Sequence, residues 1–385
     1  MNNQYRVLHI FSGFGGGISS LILNLIENKS EDFLFDTLAF SYKGGEDFVE
    51  KLKKSGSQCY TMPRPRMDGY INFVKYVSDI FSKNKYDAIH CHISGFRTIP
   101  FKKIAKANGI NIFIIHAHSA RYDSKIDRIL HVINKQINYN VATDYFTCSD
   151  LASKYIFGKN YLKKREALLM PNGIKKEMFA TRLSSEETKN YKQTFNISKN
   201  QKIIAHIGRF SKPKNHEFLL KIMQKVKEQH KDFILLFVGD GERFDYIKGL
   251  ASNMHITDCV FFCGRRSDIP HIMQFADCIV LPSEYEGLPT VAVESQAAGT
   301  PIVLSDKITR QCDMGLDLVR FVPINSVDDW VRAIEEAMKT PLETSLLNAQ
   351  DNIKKIEKNG FTSDAVGKFY CDTLKKIVKR MRDYS

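Results

Sequence analysis

The 385-residue chain predicts an α/β protein made of two Rossmann-like α/β/α domains. Short apolar runs rich in Val, Ile and Phe alternate with amphipathic stretches along both halves, as strands buried on both faces of parallel sheets require. Several of these runs end in glycine-bearing turns, at Gly13 to Gly17, Gly208, Gly239 to Gly241 and Gly264. Open sheets meet ligands beyond the carboxyl ends of their strands, where such turns lie. The length suits two cores rather than one. Residues 175–202 turn polar and charged, which places the division near 175/176.

Composition narrows the function classes. The chain is 43% hydrophobic and 26% charged, the balance of an ordinary globular protein. Its net charge of +13 is uneven: Lys and Arg exceed Asp and Glu by 10 in residues 1–178 and by 3 in the remainder. A basic first half implies an anionic partner, either a phosphorylated substrate or an anionic membrane surface. Nucleic acid is not expected, because the cations are dispersed and no binding motif accompanies them. The eight cysteines form no paired framework, and Cys259 and Cys263 lack a second pair or His at ligand spacing. This suits reduced thiols in a cytosolic protein. The amino terminus is polar and leads straight into a strand, so no signal peptide is expected. No apolar run approaches the ~20 residues of a membrane span.

Each element of the first half has a local reason. Residues 5–11 read as a strand, 12–18 as a glycine-rich loop and 19–27 as a helix. The glycines at 13, 15, 16 and 17 lack dinucleotide spacing, so the loop is either a tight turn or an approach to phosphate. Strands follow at 35–40 and 58–62 with a helix at 46–56 between them. The basic loop 63–69 is either solvated or in contact with an anionic acceptor, and 70–83 is helical by period. Residues 86–92 and 111–118 are strands that end in His-x-His. Alternate residues share a face, so His90 with His92, or Ala117-flanked His116 with His118, could chelate an ion. Zinc needs three or four protein ligands, and no Cys or Glu stands at useful spacing, so no metal is expected. Residues 145–149 form another strand, and Ser149 caps the following helix. Met170-Pro-Asn-Gly-Ile174 suits a sharp change of direction.

In the second half, strand 202–208 leads into Arg209-Phe-Ser-Lys-Pro-Lys-Asn215 and a helix from His216. An Arg and a Lys between strand end and helix start make a focused positive site for a diphosphate. Strands 233–238 and 260–262 enter Gly239-Asp-Gly241 and Cys263-Gly264-Arg265. Residues 277–281 are a buried strand closed by Pro282. Gly287-Leu-Pro289 opens a helix and Gly299 with Pro301 ends it. Glu286 then stands at the helix mouth, which attracts anions. Glu294 lies about two turns inside, roughly 12 Å along the axis at ~1.5 Å per residue, where it can take hydroxyls. A ligand with a diphosphate at one end and a ribose at the other fits. Strands at 302–304 and 318–323, a helix at 327–338 and a basic amphipathic helix at 361–382 complete the chain. The basic helix face is either solvated or in contact with anionic lipid.

Glu286-Gly-Leu-Pro-Thr-Val-Ala-Val-Glu294, followed by Ala297-Ala-Gly-Thr-Pro301, resembles the Glu–seven residues–Glu signature of family 4 glycosyltransferases. These are retaining enzymes of GT-B fold, whose two domains face each other across a cleft. The likeness covers nearly the whole chain. It implies that helix 366–385 returns to the first domain and that residues 176–365 hold a nucleotide-sugar. Gly208 and Arg209 with Lys214 and Asn215 resemble the family's pyrophosphate element, and Gly239 and Gly264 its base-side loops. Gly16 and Gly17 resemble its amino-terminal donor loop. The mouth residues Gly287, Leu288, Pro289 and Thr290 bind donor in such enzymes, while Glu286 positions the sugar and Glu294 takes the ribose. His118 resembles a histidine that meets sugar and leaving phosphate; Ala117 stands where related enzymes have serine.

The resemblance implies transfer of a hexosyl group from a nucleoside-diphosphate sugar, UDP above all, with retention and without cofactor or metal. The implied acceptor is a polyprenyl-diphosphate-linked oligosaccharide at the inner face of a bacterial membrane, in capsule, exopolysaccharide or O-antigen synthesis. A soluble acceptor, a GT-B epimerase acting on donor alone, and a non-catalytic binding subunit stay open. So does double displacement through Glu286.

Overall fold

The computed structural model describes residues 4–121, 129–195, 197–198, 200–339 and 349–383. Contacts divide the chain into two units, Met1–Gly173 with Gly360–Ser385, and Ile174–Asn359. The changeover falls two residues before 175, inside the Pro171-Asn172-Gly173 turn. The return falls at Gly360, ahead of residue 366, because the turn before the last helix, Ser363–Asp383, already packs on the first unit. A Cβ on Gly173 would lie 2.6 Å from the Thr362 carbonyl oxygen, so only glycine lets the outgoing and returning strands of chain pass there.

Among the described residues the first unit has a seven-stranded parallel sheet. Its strands are β1 (Tyr5–Phe11), β2 (Phe33–Ala39), β3 (Cys59–Thr61), β4 (Ala88–Cys91), β5 (Ile112–Ala117), β6 (Asp144–Thr147) and β7 (Leu168–Leu169), in the order β3-β2-β1-β4-β5-β6-β7. The order reverses between β1 and β4, and at such a switch point the loops on either side part to leave a crevice. The helix after β1, Gly16–Glu27, starts three residues earlier than expected, so Gly16 and Gly17 form its first turn. Leu21, Ile22, Leu25 and Ile26 bury its inner face with Val366, Tyr370 and Leu374 of the last helix.

That last helix does not present its whole basic face to solvent. Lys375 pairs with Asp32 at 2.6 Å, Arg380 with Asp144 at 2.7 Å and Arg382 with Asp87 at 3.3 Å. The three acids lie at the starts of strands, so Lys375, Arg380 and Arg382 of the basic face pair with acids of their own unit.

The second unit has six described parallel strands: β8 (Lys202–Ile207), β9 (Phe233–Val238), β10 (Val260–Gly264), β11 (Cys278–Leu281), β12 (Ile302–Ser305) and β13 (Val319–Val322), ordered β10-β9-β8-β11-β12-β13. Its reversal lies between β8 and β11, whose carboxyl ends lead to Gly208 and to Glu286. The core on one side is Phe210, Phe237, Ile247 and Trp330, with the Trp330 indole donating to Pro323 O at 2.9 Å. Among the described residues, no helix is long and apolar enough to cross a membrane.

Candidate active site

The two loops that flank the second unit's switch point are stitched together. Glu284 N donates to Pro213 O at 2.8 Å, and Lys214 Nζ lies 2.7 Å from Glu286 Oε1. Local chemistry sets both ends. Asn215, at φ 56°, takes the left-handed conformation that asparagine tolerates and starts the helix His216–Gln229. Gly299, at φ 75°, closes the helix Thr290–Ala298 as expected. The Lys214 and Glu286 side chains are 18% and 16% exposed, so their charges are shielded from water yet reachable. The helix beside them has no side-chain cap at Pro289, which leaves its first N–H groups for an anion.

Glu294 is the fifth residue of that helix, one turn inside rather than two, because residues 286–289 precede it as loop. The eight-residue spacing is therefore not a helical rise. Its carboxyl has no hydrogen-bond or ion-pair partner among the described residues, and burial pushes its pKa up to about 7. An unpartnered carboxyl in this position is ready to accept from hydroxyls.

Three glycine turns lie side by side at the ends of β8, β9 and β10. Gly208 N donates to Val238 O at 2.9 Å, and Gly239 N donates to Gly264 O at 2.8 Å. Gly239 has φ 141°, and a Cβ there would come within 2.0 Å of Gly208 O, a backbone atom that cannot step aside. Gly264 also has positive φ, 64°, but faces open space. Gly239→Ala should therefore cost on the order of 3 kcal/mol or more, and Gly264→Ala about 1 kcal/mol, in urea unfolding of the second unit. Equal costs would contradict the close approach.

Arg209 stands apart from Lys214. It is 73% exposed and pairs with Glu242 at 3.0 Å, while Arg265 pairs with Asp240 at 3.3 Å. Exposed pairs of this kind are weak, so Arg209 can leave Glu242 for a phosphate at little cost.

Two histidines that sequence reading passed over line the floor. His206 Nδ1 lies 2.9 Å from Val280 O, which fixes that nitrogen as the donor, and burial lowers its pKa to about 3. His216 stacks on Phe210 with centroids 4.2 Å apart, and burial followed by repulsion from His206 lowers it to about 2. Both are neutral, so the charge in this corner belongs to Lys214. Each sits among apolar residues in its element and reads as core.

In the first unit, Asn172 Nδ2 donates to Gly17 O at 3.2 Å, tying the Pro-Asn-Gly turn to the glycine-rich helix start. His118 lies just past β5, partly buried, 2.7 Å from His92, and burial lowers its pKa to about 3.

The family described as Glycosyl transferases group 1 matches residues 187–359, all within the second unit. A relative in Bacillus subtilis strain 168, EpsF, named as a glycosyltransferase, is 30% identical over 343 residues, covering 87% of this chain and 88% of that protein. The chain belongs to the group 1 glycosyl transferases. The transferase is also 24% identical over 294 residues to the Escherichia coli UDP-Gal:alpha-D-GlcNAc-diphosphoundecaprenol alpha-1,3-galactosyltransferase, covering 72% of this chain and 75% of that one. Among solved structures, Anabaena HepE in complex with UDP aligns with a TM-score of 0.76 at 15% identity, over 97% of this chain and all of that one. The fold of the transferase is thus GT-B. Of the sequence-predicted residues, Gly208, Lys214, Asn215, Gly239, Gly264 and Glu286 through Glu294 gather at the carboxyl edge of one sheet, and Gly16, Gly17 and His118 at the carboxyl edge of the other.

Proposed function

We propose that this transferase moves a hexosyl group from a UDP-sugar to a hydroxyl of a polyprenyl-diphosphate-linked oligosaccharide, retaining the anomeric configuration and using no metal ion. The observation that carries the reading is the Lys214–Glu286 pair at 2.7 Å beside an uncapped helix mouth. When the donor binds, Lys214 passes from Glu286 to the diphosphate, and Arg209 joins it from the exposed side. Glu286 is then freed to hold the sugar hydroxyls, Glu294 accepts from the ribose, and Gly239 and Gly264 border the base. The anomeric C–O bond to phosphate breaks as the acceptor oxygen bonds the same face, and the acceptor proton passes to the departing phosphate oxygen. Lys214, Arg209 and the helix mouth neutralise the charge that develops there. Gly16, Gly17 and His118 are proposed, on the family resemblance alone, as further contacts to the sugar and leaving group.

The named activity of the E. coli relative supports UDP and a diphosphate-linked lipid acceptor. Peripheral contact with the inner face of the membrane is proposed with that acceptor. A capsule, exopolysaccharide or O-antigen is the product class proposed.

The test supplies UDP-galactose, UDP-glucose or UDP-N-acetylglucosamine with GlcNAc-diphosphoundecaprenol in anionic vesicles, in the presence of EDTA. An α-linked product from the α-linked donor is expected. A β-linked product would remove retention, activity lost to EDTA would remove metal independence, and an epimerised donor without acceptor would make the protein an isomerase.

A further inference from the structure

Five histidines share one face of the first sheet at the ends of β1, β4 and β5: His9, His90, His92, His116 and His118. Register assembles them. His9 lies opposite His90, and residues two apart project together. The last helix covers this face, with Tyr370 Oη 2.5 Å from His90 Nδ1. Three of the rings form a line: His118 Nε2 is 2.7 Å from His92 Nδ1, and His92 Nε2 is 3.0 Å from His9 Nδ1.

The groups His9, His90, His92 and His92, His116, His118 are close enough to share an ion, and the separations along the line match hydrogen bonds. Two nitrogens each ~2.0–2.1 Å from one tetrahedral zinc are roughly 3.3 Å apart. Separations of 2.7 and 3.0 Å are hydrogen-bond lengths. Each link then holds one proton, and neutral rings in a line must all point the same way.

The buried end sets the direction. His9 is fully buried, and its Nε2 has no partner among the described residues. A buried N–H with no acceptor is a rarer and costlier defect than a lone pair with no donor. His9 Nε2 is therefore the bare acceptor, and its proton is on Nδ1, donated to His92 Nε2. His92 Nδ1–H donates in turn to His118 Nε2. The remaining proton is then on His118 Nδ1, which has no hydrogen-bond partner among the described residues. We infer that His9 and His92 are positioning residues that fix His118 as a hydrogen-bond donor, through Nδ1, to an oxygen of the donor's sugar or leaving phosphate. This rests on the role of His118 proposed above. No sequence motif marks His9, because its partners come from another strand.

Nitrogen NMR of the full chain carrying 15N-histidine reads the tautomers directly, and the Nδ1–H form is expected at His9, His92 and His118. His9→Leu removes the terminal donor; His9→Asn returns an N–H near the place of Nδ1. UDP release from UDP-glucose, UDP-galactose or UDP-N-acetylglucosamine should fall about tenfold in kcat for His9→Leu, with KM unchanged, and recover in His9→Asn. The His118 tautomer should become mixed in His9→Leu. The Nε2–H form at His118 in the parent protein, an unchanged rate and tautomer in His9→Leu, or a stoichiometric transition metal in the purified protein would each overturn the inference. Should His9→Leu fail to fold, the parent spectrum decides alone. His118→Ala turning over at the parent rate would instead remove the role of His118, whatever the tautomers prove to be.

Discussion

Lys214→Met is expected to lower donor turnover roughly 10²–10³-fold in a protein that still folds. A leaving diphosphate gains charge as the anomeric bond breaks, and a fixed cation lowers that barrier only if it is closer to the developing charge than water would be. Lys214 meets the condition, being held 18% exposed by a loop whose backbone is bonded to the neighbouring strand's loop. In the ligand-free protein the same ammonium neutralises Glu286, so removing it leaves a shielded carboxylate alone. Stability should therefore fall as well, by about 1–3 kcal/mol, and this must be separated from the catalytic loss. Glu286→Gln in the Lys214→Met background removes the orphan charge and should recover most of the stability but none of the rate. Thermal unfolding and UDP release, measured on the three variants, give the two quantities separately. A folded Lys214→Met protein that turns over donor at the parent rate would deprive the leaving group of its counter-charge and sink the mechanism.

What could be read in advance follows the range of the interactions concerned. The strand–loop–helix around Glu286 was legible because its signals are local: a buried run, a proline near the helix start and Gly299 as the left-handed stop. The start of the first helix was not, because glycine is a poor helix former and Gly16 and Gly17 read as loop. The basic face of the last helix was read as free, since Asp32, Asp87 and Asp144, which neutralise part of it, lie more than two hundred residues away. The Lys214–Glu286 pair spans 72 residues, so each charge was visible but not their contact. His-x-His pairs were plain in the sequence, whereas the line from His9 to His118 depends on strand order. Local chemistry thus announced where the turns and helix ends fall, and sheet topology determined which residues meet there.

Glu294 offers the second large effect, and its sign reverses between the free and the liganded protein. Burial raises its folded pKa from the ordinary 4.5 to about 7. A raised carboxyl favours the protonated fold, so its contribution to stability is complete below about 4.5 and is lost as pH climbs through 7. By pH 8 the ligand-free protein carries a shielded charge, unpartnered among the described residues, at a cost on the order of 3 kcal/mol. Glu294→Gln should therefore unfold at higher temperature than the parent at pH 8 and at the same temperature near pH 5. Binding of UDP should run the other way. Ribose hydroxyls donate to the ionised carboxylate, so UDP affinity should weaken as pH falls below 7, and binding at pH 6.5 should release a proton. Calorimetry in two buffers of different ionisation enthalpy measures that proton. Hydrogen bonds to a charged acceptor are worth about 1.5–3 kcal/mol, so Glu294→Gln should bind UDP roughly 10–100-fold more weakly at pH 8, with no proton released. A variant stabilised at pH 8 that keeps the parent's UDP affinity would mean that the carboxyl is strained by its surroundings but never meets the ribose.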